Sequence, residues 1–121
     1  MRPVLVTGGC GFIGSNFIHY LLETDPEARI INLDALTYAG NLDNLAAVAD
    51  NPHYRFIHGD ITDRAAVRRV VGDGVCAIIN FAAESHVDRS IHDSGPFART
   101  NVIGTQALLD AAREFKLERY V

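Results

Sequence analysis

Positive charge, clustered cysteine and long apolar runs are all scarce in this sequence, and each scarcity removes a class of function. Basic residues number 11 against 15 acidic ones, a net charge of −4, and lysine occurs only as Lys116. That balance gives no broad positive field to draw the chain onto nucleic acid or an anionic membrane, so neither is expected as a partner. An anionic ligand must then be held by local geometry. The two cysteines, Cys10 and Cys76, form no Cys-x-x-Cys pair and no Cys/His cluster, which argues against a metal site or a disulfide framework. Both are expected as reduced thiols. The longest apolar runs, such as Val75 to Ile79, fall far short of the roughly 18 residues of a membrane span, and the N-terminus lacks the apolar core of a signal peptide. A cytoplasmic location is the expectation. Internal repeats, low-complexity tracts and Pro/Gly/Ser linkers are missing too.

What remains is an ordinary globular composition. The 121 residues are 48% hydrophobic and 21% charged, with a mean hydropathy of +0.06, enough for one domain around one packed core. Short apolar runs alternate with longer helical patterns. Val4 to Thr7, Ile30 to Leu33, Tyr54 to His58 and Cys76 to Ala82 read as strands, near-continuously apolar as expected when both sheet faces are covered. Between the first two, Ile13, Phe17, Tyr20 and Leu21 recur at helical spacing, and Pro26 follows where that helix should stop. Thr62 precedes a second helix through Val67, Val70 and Val71, ended by Gly72 and Gly74. A helical turn is expected over Leu42 to Val48. A longer helix, started by Pro96, should carry Val102, Leu109, Ala112 and Phe115. Strand and helix in this rhythm specify parallel strands with right-handed crossovers, hence a doubly wound α/β sheet. Arg119 to Val121 look like a fifth strand just begun, which would leave the fourth as an exposed edge.

The strongest local signal is Thr7-Gly8-Gly9-Cys10-Gly11-Phe12-Ile13-Gly14, at the first strand-to-helix junction. Gly8, Gly11 and Gly14 give the spacing of a dinucleotide-binding turn, where a Cβ would obstruct the turn, the approach of a pyrophosphate, or the packing of helix on strand. Amides at the helix start, reinforced by its dipole, can hold phosphate without lysine. Asp34 ends the second strand about 20 residues further on, where a carboxylate can accept from ribose hydroxyls; the competing reading is an Asp that caps a loop. A 2′-phosphate within about 4 Å of it would be repelled by at most on the order of 4 kcal/mol per charge. NAD is therefore expected over NADP. Asp60 and Ile61 close the third strand and either flank an adenine ring or, through Asp60 or Thr62, cap the helix that follows.

After the fourth strand, Phe81, Ala82 and Ala83 leave room for a ligand at the sheet's switch point, and Ser85, His86, Asp88 and Arg89 are compatible with a substrate pocket. Ser85 and His86 are adjacent, which does not normally set a hydroxyl and an imidazole in triad geometry, so no nucleophilic catalysis is read into them. The remaining histidines show no ligand spacing. Cys10 is expected as a small packing residue whose pKa the nearby helix start could lower.

With these motifs assembled, the chain resembles the N-terminal part of the extended short-chain dehydrogenase/reductase family, and within it the nucleotide-sugar dehydratases. The broad likeness rests on TGGCGFIGSNF at Thr7 to Phe17. The narrower one rests on LTYAGNL at Leu36 to Leu42, HGDI at His58 to Ile61, AAESHVDRSI at Ala82 to Ile91 and TNVIGT at Thr100 to Thr105. The resemblance implies a Rossmann fold with NAD as cofactor. It implies that Phe12 and Ile13 line the pyrophosphate turn and that Asp34, Ala35, Leu36 and Thr37 surround the adenosine ribose. Asp60 and Ile61 would then flank adenine, Phe81, Ala82, Ala83 and Ser85 run beneath the nicotinamide, and Thr100 touch the cofactor. Ser85, with His86 beside it, would meet the sugar of a dTDP-glucose substrate. Ala35 departs from the lysine common at that position, which removes one polar contact.

The reaction so implied is oxidation at C4 of the sugar, loss of water across C5 and C6, and return of hydride at C6. Members of the family perform it with a Tyr-x-x-x-Lys pair and an Asp-Glu pair, and neither occurs here. Lys116 and Tyr120 stand in the reverse order. No catalytic residue is assigned, and the 121 residues read as an incomplete NAD-binding domain, inactive alone, of an enzyme expected to be a homodimer at full length. A nucleotide-sugar 4-epimerase and a non-catalytic NAD-binding module are the alternatives.

Overall fold

The computed structural model describes residues 2–37, 40–83 and 94–121. Five parallel strands form one sheet in the order β3-β2-β1-β4-β5: β1 (Val4–Thr7), β2 (Ile30–Asp34), β3 (Tyr54–His58), β4 (Ala77–Asn80) and β5 (Arg119–Tyr120). β1 pairs with β2 from Val4↔Ile30 and with β4 from Val4↔Ala77. The chain thus builds outward from β1 in one direction and then restarts beside it in the other. That reversal is the doubly wound topology, and it sets a switch point between β1 and β4.

Side-chain alternation sorts the core onto the two faces. Val4, Val6 and Ile30 pack with Ile18 and Leu45, beneath α1 (Phe12–Thr24) and a 3-10 segment (Leu42–Val48). Leu5, Leu33 and Ile78 pack on the other face with Val67, Val71 and Leu108, from α2 (Arg64–Gly72) and α4 (Thr105–Glu114). β1 and β2 are buried throughout, as their apolar runs require. β3 is only partly buried, because it is the outer strand beyond β2. Arg64 and Arg68 of α2 pair with Asp110 and Glu114 of α4 at 2.5 and 2.6 Å, exposed contacts that set helix register more than stability.

Several expectations change. In α1 the buried residues are Gly14, Ser15 and Ile18, whereas Ile13 and Tyr20 face solvent; the buried stripe is rotated from the pattern of large apolar residues because small residues lie where the helix meets the sheet. The last helix repeats this in part: Ala107, Leu108 and Ala111 are buried and Ala112 packs beside them, whereas Leu109, Phe115 just past the helix and Val102 before it are exposed. The single long helix is instead α3 (Ser94–Ala98), with Pro96 inside its first turn, then a π-helical segment (Arg99–Gly104), then α4. The fourth strand is shorter than its apolar run, and β5 pairs with its start through Ala77↔Arg119 and Ile78↔Tyr120, so β4 is not an edge there. No helix among the described residues is long and apolar enough to cross a membrane.

Candidate functional site

The carboxyl ends of β1 to β4 open into one cleft of about 580 Å³, counted together with the solvent at its mouth. Gly8 and Gly11 form its floor after β1, and Asp34, Ala35 and Thr37 line it after β2. Asp60 and Ile61 line it after β3, Phe81, Ala82 and Ala83 after β4, and Thr100 enters from the π segment. The sheet reverses strand order at this place, as the sequence reading requires. Leu33, Gly40 and Gly59 also line the cleft, although the sequence, which holds them in a strand and two motifs, assigns none of them to the site. Gly59, one residue past the end of β3, carried a usable signal, since it stands at the strand end where the other lining residues cluster.

Phe12, Ile13, Gly14 and Leu36 are not in the lining. Phe12 and Ile13 project into solvent from the first turn of α1, 82% and 66% exposed. Gly14 is buried beneath that turn. Leu36 sits at φ +55, a strained angle for leucine, and packs its side chain against the α1 face of the core. Ser85 and His86 lie outside the described residues.

The glycines of the loop do different work. Gly8 has φ +68, and a Cβ there would lie 2.6 Å from the Ala82 amide nitrogen, so glycine is required for β1 and the β4 loop to meet. Gly11 has φ −76 and ψ 177, which any residue adopts. Its Cβ would meet only the Gly8 carbonyl, at an unstrained 3.5 Å. The protein's own packing does not need glycine at 11; the missing side chain leaves open the floor of the cleft. Gly11 is also the N-cap of α1 and offers no side-chain acceptor, so the first amides of that helix have no partner within it.

Two side chains of β2 hold the loop in place. Asn32 Oδ1 accepts the Gly9 amide at 3.0 Å, and Asp34 Oδ2 accepts the Cys10 amide at 2.8 Å. Residues 32 and 34 share a face of the strand, and they fasten consecutive loop amides. Asp34 Oδ1 further accepts the Leu36 amide at 2.7 Å, stabilising the strained turn. Asp34 therefore secures the loops as well as lining the cleft. Asn32 completes a buried cluster by donating to Cys10 Sγ at 3.5 Å and to the Tyr54 hydroxyl at 3.1 Å. Burial, helped by the Asp34 charge, pushes the Cys10 thiol up to about 11. This corrects the expectation of a lowered value: desolvation and a nearby carboxylate outweigh the helix start. Burial raises the Tyr54 phenol as well.

At the third strand, Asp60 Oδ1 accepts from the Thr62 amide and hydroxyl at 2.9 and 2.8 Å, a local turn. The cap of α2 is neither of them: it is Asp63, accepting from Ala66. His58 Nε2 donates to the Ala35 carbonyl at 3.0 Å, tying β3 to the residue that follows β2. On the β4 side, Thr7 Oγ1 donates to Asn80 Oδ1, which also accepts the Ala82 amide. Phe81 is braced by Phe17 of α1, with ring centroids 5.5 Å apart.

Comparison with known proteins places this cleft in context. Residues 5–121 match the family described as GDP-mannose 4,6 dehydratase. The chain is 57% identical over 118 residues to the low-salt glycan biosynthesis protein Agl12 of Haloferax volcanii, covering 98% of this chain and 37% of the relative. DesIV, a dTDP-glucose 4,6-dehydratase from Streptomyces venezuelae solved with NAD and TYD bound, is 50% identical with a TM-score of 0.91, over 98% of this chain and 38% of that one. A UDP-glucose 4-epimerase of Thermotoga maritima, solved with UDP-glucose, gives a TM-score of 0.86 at 28% identity, over 98% and 36%. The chain spans a little over a third of the length of these relatives.

Proposed function

The chain belongs to the GDP-mannose 4,6-dehydratase family, and from that premise we propose that it is the NAD-binding part of a nucleotide-sugar 4,6-dehydratase acting on dTDP-glucose. The observation that carries this reading is Gly11, a residue whose side chain the fold would tolerate and whose absence opens the floor of a cleft at the switch point. A diphosphate resting there meets the free amides of α1 and the positive end of its dipole. Asp34 accepts from the adenosine ribose, beside Ala35 and Thr37. Asp60 and Ile61 flank the base. Phe81, Ala82, Ala83 and Thr100 bound the nicotinamide end. The carboxylate of Asp34 selects NAD over NADP by repelling a 2′-phosphate.

Held by these residues, NAD would supply a hydride acceptor for C4 of the sugar and a hydride donor to C6 once water is lost across C5 and C6, so that the cofactor is regenerated. The residues present bind and orient; no Tyr-x-x-x-Lys pair that could move the C4 hydroxyl proton occurs among them. The 4-epimerase fold is shared at lower identity, and that reaction would release no water. The test is calorimetric titration of the folded chain with NAD and NADP. Saturable binding with NAD preferred is the expected result; no heat with either, with folding verified, overturns the reading.

A further inference from the structure

Gly104 closes the π segment and leads into α4 with φ −63 and ψ −45. Those angles are ordinary right-handed helix, open to any residue, and alanine there would favour the helix. The backbone does not ask for glycine. The side chain opposite does: a Cβ on Gly104 would lie 2.5 Å from both Cγ1 and Cδ1 of Ile61, far inside van der Waals contact. Ile61 is 3% exposed and packs in the core with Val67 and Leu108, so it cannot retreat inward without overpacking. Its remaining surface lines the cleft beside Asp60. The cleft is the side left unfilled.

We propose that Gly104 is a positioning residue for the adenine end of the site: lacking a Cβ, it lets Ile61 lie back against the helix and keeps that wall of the cleft clear. The inference rests on the dinucleotide reading and adds a residue that lies outside the cleft's lining. A methyl group at 104 drives Ile61 forward into the space of the base. Shortening Ile61 to alanine removes both contacted atoms, after which a methyl at 104 has nothing to push.

The test is titration with NAD and with AMP of four proteins: the unaltered chain, Gly104→Ala, Ile61→Ala and the double variant. Gly104→Ala should weaken AMP and NAD alike by about tenfold, the scale of an overpacked methyl. In the Ile61→Ala background the same substitution should change AMP affinity by no more than about twofold. Should Gly104→Ala not fold, the double variant is expected to fold and to match Ile61→Ala. The proposal is overturned if Gly104→Ala leaves AMP binding unchanged, if it weakens AMP equally in both backgrounds, or if the double variant also fails to fold. Failure of the unaltered chain to bind NAD would instead overturn the dinucleotide reading, and shows before any variant is made.

Discussion

The Asp34 carboxylate accepts the Cys10 amide at 2.8 Å, buried beneath the glycine loop. The side chain proposed for the ribose is thus also a fastening of the loop proposed to hold the diphosphate. Each of its oxygens takes one backbone amide and keeps a second lone pair for a hydroxyl. Substitution should therefore have two separable effects. Asp34→Ala strands two amides, at about 1–3 kcal/mol each where they stay buried, and should lower the melting temperature. Asp34→Asn keeps an oxygen acceptor but loses the charge. It should shift the NAD/NADP affinity ratio toward NADP by at least about tenfold, measured by titration with each. Equal losses for both dinucleotides would remove the ribose role and leave only the fastening.

Gly8 and Gly11 should respond in opposite ways. Gly8→Ala forces a side chain onto φ +68 and against the Ala82 amide, so it should destabilise the fold by about 3 kcal/mol or more, read in urea melts. Gly11→Val places its Cβ against only the Gly8 carbonyl, at an ordinary 3.5 Å. Its melt should stay within about 1 kcal/mol of the unaltered protein, while NAD affinity falls below detection because the branched side chain fills the floor of the cleft. Undiminished binding by Gly11→Val would show that the diphosphate lies elsewhere.

How much of this was legible beforehand divides along physical lines. Strands β1 and β2 are short apolar runs with a glycine turn or an acidic residue at their ends, and periodicity alone places them. Counting large apolar residues gives the helix faces only in part: Phe17, Leu21 and Ala112 pack against the core as expected, but where a helix lies close on a sheet small residues take the contact, Gly14 and Ser15 in α1 and Ala107 and Ala111 in α4. The break at Arg99–Gly104 leaves no trace in the sequence, since RTNVIG carries no breaker besides its last residue, Gly104.

In the site, Gly8, Gly11, Asp34, Asp60, Ile61 and Thr100, all named from motif or resemblance, line one cleft. What could not be read was the support beneath them. Asn32 looks like a stray polar residue in an apolar strand, and only the fold shows it reaching the Gly9 amide, Cys10 and Tyr54. The raised thiol of Cys10 follows from the same burial, which no sequence pattern announces.

Turnover is the next expectation. With dTDP-glucose and NAD, these 121 residues should form no 4-keto sugar, because Lys116 lies past the end of α4 and Tyr120 on β5, so the phenol and the ammonium do not share a helix face. Tyr120 is further engaged as a partner of Asn80 Nδ2 at 3.2 Å. Chromatographic assay of the sugar product checks this. Formation of a 4-keto product would mean that a base resides among the residues present.

Alkaline pH offers a test of the loop's underside. The Cys10 thiol ionises at about 11 in the folded protein against an ordinary 9.0, mainly through burial. A thiol held neutral by the fold favours the folded state below pH 9.0, and this contribution is lost as pH rises from 9.0 through about 11. Urea stability should fall over that window, and Cys10→Ala should flatten the fall without abolishing it, since Tyr54 is raised from its ordinary value of 10.0 in the same cluster. At about pH 8 the native protein should then yield one thiol to an aromatic disulfide reagent, the partly exposed Cys76, and both in denaturant. Rapid labelling of Cys10 in the native state would show that the loop opens far more readily than its bonds to Asn32 and Asp34 allow.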